Sequence, residues 1–261
     1  MIVLFTDFGR SGPYVGQMQA VLARTAPAVP VIDLFADAPA FDPQASAYLL
    51  AAYAVEFPAG TVVLAVVDPG VGGPRAPLAV AAGGRWYVGP DNGLFAMVMR
   101  RAGDARAWEI TWRPERLSAS FHGRDLFAPV AARLALGEQP PGREREPGDA
   151  AAAIGADWPD DLPRIVYVDD FGNAMTGVRA EVLGPETAIR AAGRDLPRAH
   201  TFSDLPPGTP FWYENANGLA EIAVNRGSAA AALGRAVGTE IEVAAIEVAA
   251  KVAVERSGGS A

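Results

Sequence analysis

What most constrains the fold of this chain is the alternation, along its first 135 or so residues, of short apolar runs with helix-patterned segments. Ile2 to Thr6, Val29 to Phe35 and Thr61 to Val67 are each nearly continuous in apolar residues, as expected of strands covered on both faces. Between them, Tyr14 to Arg24 and Pro43 to Phe57 carry helix signals. The second of these opens with Asp42 as N-cap and Pro43 at the first helical position. A βαβαβ start of this kind predicts an α/β domain with a parallel sheet and crossover helices on both faces. Further helices are expected over Asn92 to Arg101 and Arg124 to Leu136, the latter with Pro129 complicating its beginning.

From Gly137 to Pro163 the composition shifts to Pro, Gly, Ala and alternating charge, which suits a surface linker. The expected organisation is therefore a first domain over 1–137, a linker over 138–163 and a second domain over 164–256. In the second domain Arg164 to Val168, Phe211 to Glu214, Leu219 to Val224 and Glu240 to Val248 read as short strands between Gly, Pro and Asn turns. That pattern favours a small antiparallel barrel or sandwich. Residues 257–261, Ser257 to Ala261, read as a disordered tail, and no repeat of fixed period is visible.

Composition narrows the functional classes. The formal charge is −8, and no Lys/Arg cluster is long enough to follow a phosphate backbone, so nucleic acid is not expected as a partner. The chain has no cysteine, which excludes disulfides, thiolate metal sites and a cysteine nucleophile. His122 and His200 are its two histidines, too few for a histidine-rich zinc site, and no metal is expected. Met1 leads straight into an apolar run with no basic n-region or cleavage pattern, and no apolar stretch reaches membrane-spanning length. The expectation is a cytoplasmic protein without a membrane partner.

Polar residues gather where the apolar runs end, and ligands of open α/β sheets bind at the carboxyl ends of strands. Thr6-Asp7-Phe8-Gly9 follows the first run. Asp7 there is either a turn aspartate or a carboxylate offering two acceptor oxygens to vicinal hydroxyls. Asp68-Pro69-Gly70-Val71-Gly72-Gly73-Pro74-Arg75 follows the third, but it completes neither a phosphate loop nor a dinucleotide fingerprint. What it does is bring Asp68 and Arg75 within reach of each other, as a structural pair or as part of a cleft. His122, in Phe121-His122-Gly123-Arg124-Asp125, stands ahead of an expected helix N-terminus that would disfavour imidazolium and suit a neutral base or hydrogen-bond partner. In the second domain Asp169-Asp170-Phe171-Gly172-Asn173 follows a strand. Asn173 there could read both a donor and an acceptor edge of a base.

Together with Gly89-Pro90-Asp91-Asn92-Gly93 and Glu221-Ile222-Ala223-Val224-Asn225, these ordered segments resemble the S-adenosyl-L-methionine (SAM) hydroxide adenosyltransferase family. That family is the hydrolytic relative of the SAM-dependent fluorinase and chlorinase, and the matches run from residue 6 to residue 227. The resemblance implies a Rossmann-like first domain, a β-barrel second domain and a homotrimer with active sites between subunits. It implies a water-handling triad of Asp68, Arg75 and His122. It also implies substrate contacts from Asp7 to the ribose hydroxyls, with Phe8 beside it, and from Phe41 as a wall. Asp169 falls where the methionine amino group is bound, Asn173, Val224 and Arg226 where adenine is bound, and the Asn215 to Gly218 loop where the methionine carboxylate is bound. Ala216 departs from the serine that many relatives carry there.

Halide-using relatives have a tyrosine or similar group in place of Asp68 and lack the histidine at 122, so the resemblance favours water as nucleophile and SAM hydrolysis to adenosine and methionine. No cofactor is implied. An adenosyl-halide synthase and a non-catalytic SAM- or adenosine-binding module stay open at this stage.

Overall fold

The computed structural model describes residues 1–145, 154–184, 187–234 and 236–245. The chain opens with β1 (Ile2–Thr6), α1 (Pro13–Thr25), β2 (Val31–Phe35), α2 (Pro43–Tyr53) and β3 (Val62–Val66). β1 pairs in parallel with β2 on one side and with β3 on the other, where Thr6 lies opposite Val66. Sheet growth thus changes direction between β2 and β3. The loops leaving β1 and β3 consequently lie side by side at the carboxyl edge, which is where a crevice opens in such sheets.

The chain continues through β4 (Pro77–Ala82), β5 (Arg85–Pro90), α3 (Ala96–Ala102), β6 (Arg106–Ile110), α4 (Ala128–Ala135) and β7 (Gly142–Glu144). All seven strands form one sheet in the order β2-β1-β3-β5-β4-β6-β7. Side chains alternate across it: Ile2, Leu4, Val62 and Leu64 pack under α1 and α4, whereas Val3, Phe5, Val63 and Ala65 pack under α2 and α3.

Two expectations are corrected here. The sheet is parallel only across β2, β1, β3 and β5, since β4 runs antiparallel to β5 and β6, and β7 antiparallel to β6. The switch is made by the two-residue loop Gly83-Gly84, whose φ values of 55° and 75° are those a tight hairpin requires. β2, expected to be covered on both faces, is the edge strand, and Ile32 and Asp33 are exposed.

The second unit contains β8 (Leu162–Val168), β9 (Ala174–Arg179), β10 (Thr187–Ala191), β11 (Arg194–Leu196), β12 (Pro210–Glu214), β13 (Leu219–Val224), α5 (Ala229–Leu233) and β14 (Glu242–Ala245). Its strands form two antiparallel sheets, β12-β13-β9-β8 and β11-β10-β14, around a core that includes Trp212, Ile222 and Ile189. Single bridges, Arg164 with Glu240 and Arg198 with Trp212, touch across both seams between the sheets. The expected tail over 257–261 and the end of the strand expected over 240–248 lie outside the described residues.

α2 joins the two units. Every residue from Ala45 to Ala52 is buried, because the first sheet covers one side and Leu162, Val166, Met175 and Leu219 of the four-stranded sheet close the other. Its alanine-rich sequence suits this position, since small side chains leave no polar face to hydrate and allow close approach from both directions. Asp42 ties the arrangement at one end. One carboxylate oxygen caps the helix by accepting from Ala45 N–H at 2.9 Å, and the other accepts from the Arg164 guanidinium at 2.9 Å. Asp42→Ala is therefore expected to lower the unfolding free energy by about 1 kcal/mol for the cap, and by more once Arg164 loses its partner. Asp42→Ser, which still caps, should lose less in urea denaturation. An Asp42→Ala midpoint equal to the wild-type one would refute this double role.

Candidate active site

The loops after β1 and β3, together with the segment before α4, enclose a cavity of about 650 Å³. Asp7, Phe8, Phe41, Asp68 and His122 all line it. Asp7 leaves β1 at the sheet edge, and its carboxylate accepts from Phe41 N–H at 3.0 Å. That bond holds Phe41 in a left-handed conformation, φ 58°, and the residue, 77% exposed, lines the cavity. A phenylalanine in this region is strained, so the tether from Asp7 has work to do. Burial pushes the Asp7 carboxyl up, and the bond from Phe41 opposes that shift. Across the cavity, Phe8, Tyr14 and Phe121 meet edge to face with ring centroids 5.4 to 5.9 Å apart.

Asp68 and Arg75 are brought together by a compact loop in which Val71 N–H bonds back to Asp68 O and Gly73 N–H to Gly70 O. Gly72 has φ 78°, and a Cβ there would fall 2.5 Å from Ala119 O, so the loop lies directly on the segment that precedes His122. Arg75 Nε donates to both Asp68 oxygens at 3.0 and 3.1 Å, and its Nη2 reaches His122 Nδ1 at 2.9 Å. The Asp68 and Arg75 side chains are only 4% and 10% exposed, and the guanidinium stacks on Phe127 at 5.3 Å. Arg75 thus stands behind Asp68 and His122 and does not itself form the cavity wall.

A guanidinium can only donate, so His122 Nδ1 must accept, and the neutral ring carries its proton on Nε2. Burial lowers the His122 pKa, and the adjacent Arg75 lowers it further, while Asp68 acts in the opposite direction. Burial and Arg75, rather than the helix N-terminus expected from the sequence, favour the neutral ring. His122 precedes a π-helical turn, Gly123–Phe127, which runs into α4 where Pro129 has no N–H to give.

The remaining candidates line a second cavity of about 820 Å³ in the second unit: Asp169, Asn173, Asn215, Ala216, Val224 and Arg226. Among the described residues none lines both cavities. Asp169 is committed to its own turn, where it accepts from Phe171 N–H at 3.0 Å, Asn173 N–H at 2.8 Å and Asn173 Nδ2 at 3.0 Å. Arg226 is left-handed, φ 56°. Sequence reasoning did not find Tyr53, Met175, Tyr213 or Glu221 as wall residues. Tyr53 comes from α2, and only the packing of the two units carries it there. By contrast, Asp91 and Asn92 serve the scaffold: Asp91 pairs with Arg145 at 2.7 Å, and Asn92 donates to Val67 O at 2.8 Å.

Arg10, just beyond β1, pairs with Asp37 at 2.8 Å and with Asp170, and donates to Tyr167 OH at 3.0 Å, so the two units also meet through charge near the first cavity.

The His122 environment predicts its titration. Its imidazole should titrate below the ordinary value of 6.5. Because its folded pKa is depressed, this group's stability contribution is complete above that value and declines as pH falls toward the folded pKa. By NMR, Arg75→Ala should move the His122 midpoint up and Asp68→Asn should move it down. Midpoints that do not respond would refute the coupling.

Residues 2–143 match the SAM hydroxide adenosyltransferase N-terminal domain and residues 163–242 the corresponding C-terminal domain. The chain is 42% identical over 260 residues to an (R)-S-adenosyl-L-methionine hydrolase of Thermus thermophilus, covering 93% of this chain and 98% of the relative. A fluorinase of Actinopolyspora mzabensis is more distant, 25% identical over 277 residues, covering 88% and 92%. Among solved structures, an uncharacterized conserved protein from Thermotoga maritima superposes with a TM-score of 0.83 at 29% identity, covering 94% of this chain and 100% of that one.

Proposed function

The chain belongs to the SAM hydroxide adenosyltransferase family, and we infer that it hydrolyses SAM to adenosine and L-methionine. The observation that carries this reading at the level of chemistry is the placing of Asp68 and His122 on the wall of the first cavity, with the buried Arg75 behind them and bonded to both.

In SAM the ribose C5′ carries a sulfonium. Attack of a water oxygen on C5′ from the face opposite sulfur forms the C–O bond as the C–S bond breaks, and methionine leaves as a neutral thioether. No acid is needed at the leaving group, so the demand falls on the nucleophile. Because Arg75 occupies Nδ1, His122 offers its Nε2–H to the water oxygen and orients a lone pair. Proton acceptance then falls to Asp68, whose carboxylate Arg75 holds in place. The proton ends in solvent.

Asp7 retains acceptor capacity for the ribose hydroxyls beyond its bond to Phe41, and Phe8 and Phe41 supply apolar walls. The second cavity takes the rest of the molecule. Asn173 and the backbone around Val224 and Arg226 suit adenine, while Asp169 and the Asn215 to Gly218 turn suit the amino-acid end. We assign no metal or organic cofactor, because the leaving group departs neutral and the nucleophile is water.

A carboxylate and an imidazole on the cavity wall favour water over an incoming anion, which argues against halide as nucleophile. A non-catalytic binding module would need neither of them.

The two sets of contacts line separate cavities of one chain, and this supports an active site completed by a second copy, in a homotrimer. We read the two sheets of the second unit, bridged at both seams, as a small barrel, and the first unit as Rossmann-like. No helix among the described residues is long and apolar enough to cross a membrane, and the cytoplasm is the proposed compartment.

Incubation with SAM in ¹⁸O-labelled water should give methionine and adenosine labelled at the 5′ oxygen, with or without chloride. A 5′-halo product or unlabelled adenosine would overturn direct attack by water. Asp68→Asn, Arg75→Ala and His122→Ala should each lower kcat by about 100-fold or more, as expected for a proton acceptor and the groups that orient it and the water. KM should change far less, and the effects should not add. Full turnover by His122→Ala would remove it from the mechanism.

If the site is shared between copies, specific activity should fall on dilution as the oligomer dissociates. A fully active monomer by light scattering would defeat that arrangement.

A further inference from the structure

Glu221 has no part in the chemistry above, yet it lines the second cavity while being only 2% exposed. It lies on β13 between Tyr213 of β12 and Met175 of β9. Its Oε1 accepts from Tyr213 OH at 2.7 Å and its Oε2 from Asn215 Nδ2 at 2.8 Å. Neither donor is a cation. Burial accordingly pushes its carboxyl up against the pull of the two donors, and a buried carboxylate so placed is costly unless it is needed.

The need is visible in Asn215. Its Oδ1 accepts from Asn217 N–H and Leu219 N–H, both at 3.0 Å, and its main-chain carbonyl accepts from Gly218 N–H at 3.0 Å. That bonding requires the amide oxygen to face the turn and the amide nitrogen to face away. A side-chain amide can flip, and here the two main-chain N–H donors oppose the flip from the oxygen side, leaving the nitrogen side to its own neighbour. A carboxylate, which only accepts, discriminates. With Asn217, Gly218 and Leu219 N–H all committed inside the turn, Ala216 N–H is left without a hydrogen-bond partner among the described residues, at the cavity wall.

We propose that Glu221 is a positioning residue: by fixing the Asn215 amide it fixes the turn that presents Ala216 N–H to the carboxylate of the substrate's amino-acid end. This rests on the assignment of that end to the second cavity. The contact lies away from C5′ and is equally strong before and during bond breaking, so it governs binding and leaves the chemical step alone.

The test compares Glu221→Met, which has no comparable acceptor, with Glu221→Gln, whose amide oxygen still accepts from Asn215 while its NH₂ donates to the Tyr213 oxygen. For Glu221→Met, KM for SAM should rise about tenfold, as for one lost hydrogen bond to a charged group. Its kcat should stay within about twofold, with free L-methionine bound correspondingly more weakly and adenosine as in the wild type, by titration calorimetry. Glu221→Gln should restore KM.

If Glu221→Met does not fold, Asn215→Ala breaks the same link from its other end and must show the same split. An unchanged KM in the folded variant, a loss confined to kcat, or equal defects in Gln and Met would overturn the positioning role. Wild-type protein that turns over SAM but binds no free methionine, or loses none of that binding in Ala216→Pro, which removes the main-chain N–H, would instead sink the assignment on which the role rests.

Discussion

α2 has no face left for solvent, and this burial on all sides is the constraint on which the rest of the molecule depends. A helix whose middle residues are alanine, leucine and tyrosine, without a charged residue between Asp42 and Glu56, is stable only if both sides are covered. The first sheet covers one side, and the four-stranded sheet of the second unit is the available cover for the other. Exposing either side would return a large apolar surface to water at roughly 25 cal/mol per Å². The two units are thereby fixed in relation to one another, with Tyr53 at the helix end forming part of the second cavity and Arg10, Asp37 and Tyr167 aligned at the other contact.

The same economy of position governs the first cavity. Arg75 is a donor with three clients, two carboxylate oxygens and an imidazole nitrogen, and its plane is backed by Phe127. It decides the roles of the other two. Once Nδ1 accepts, the neutral imidazole presents a donor to the cavity, and a half-buried ring beside a guanidinium has its pKa lowered, which favours that neutral form. The proposed division of labour around the water follows from the direction in which one arginine can give hydrogen bonds.

Much of this was legible in the sequence, and the parts that were not share a cause. β1 and β3 were readable because both lie inside the sheet and are apolar throughout. α2 announced its start through Asp42 and Pro43, Asp7 and Asp68 could be picked out because they stand at strand ends, and His122 because it stands just ahead of a helical segment. β4 to β7 were not read as strands, although Gly83-Gly84 between two apolar runs was a hairpin signal. β2 misled because an edge strand can carry the same apolar letters as a central one, and its neighbours are known only once the sheet is assembled. Glu221 was invisible as a functional residue for a related reason: in an antiparallel strand it reads as the outward-facing charge, and only the fold of Asn215 over it shows it to be buried. No local pattern could reveal that the site residues divide between two cavities, since that depends on contacts distant in sequence.

That division has an evolutionary consequence. With no described residue common to the two walls, mutations on the wall of Asp68 and His122 do not touch the surface proposed to grip the adenine and amino-acid portions, and the converse also holds. Selection can therefore act on each half in turn without passing through an intermediate that has lost both. Descent from a common ancestor into lineages as far apart as the hydrolase at 42% identity and the fluorinase at 25% is open to a scaffold of this kind, in which one wall can be rebuilt while the other is inherited.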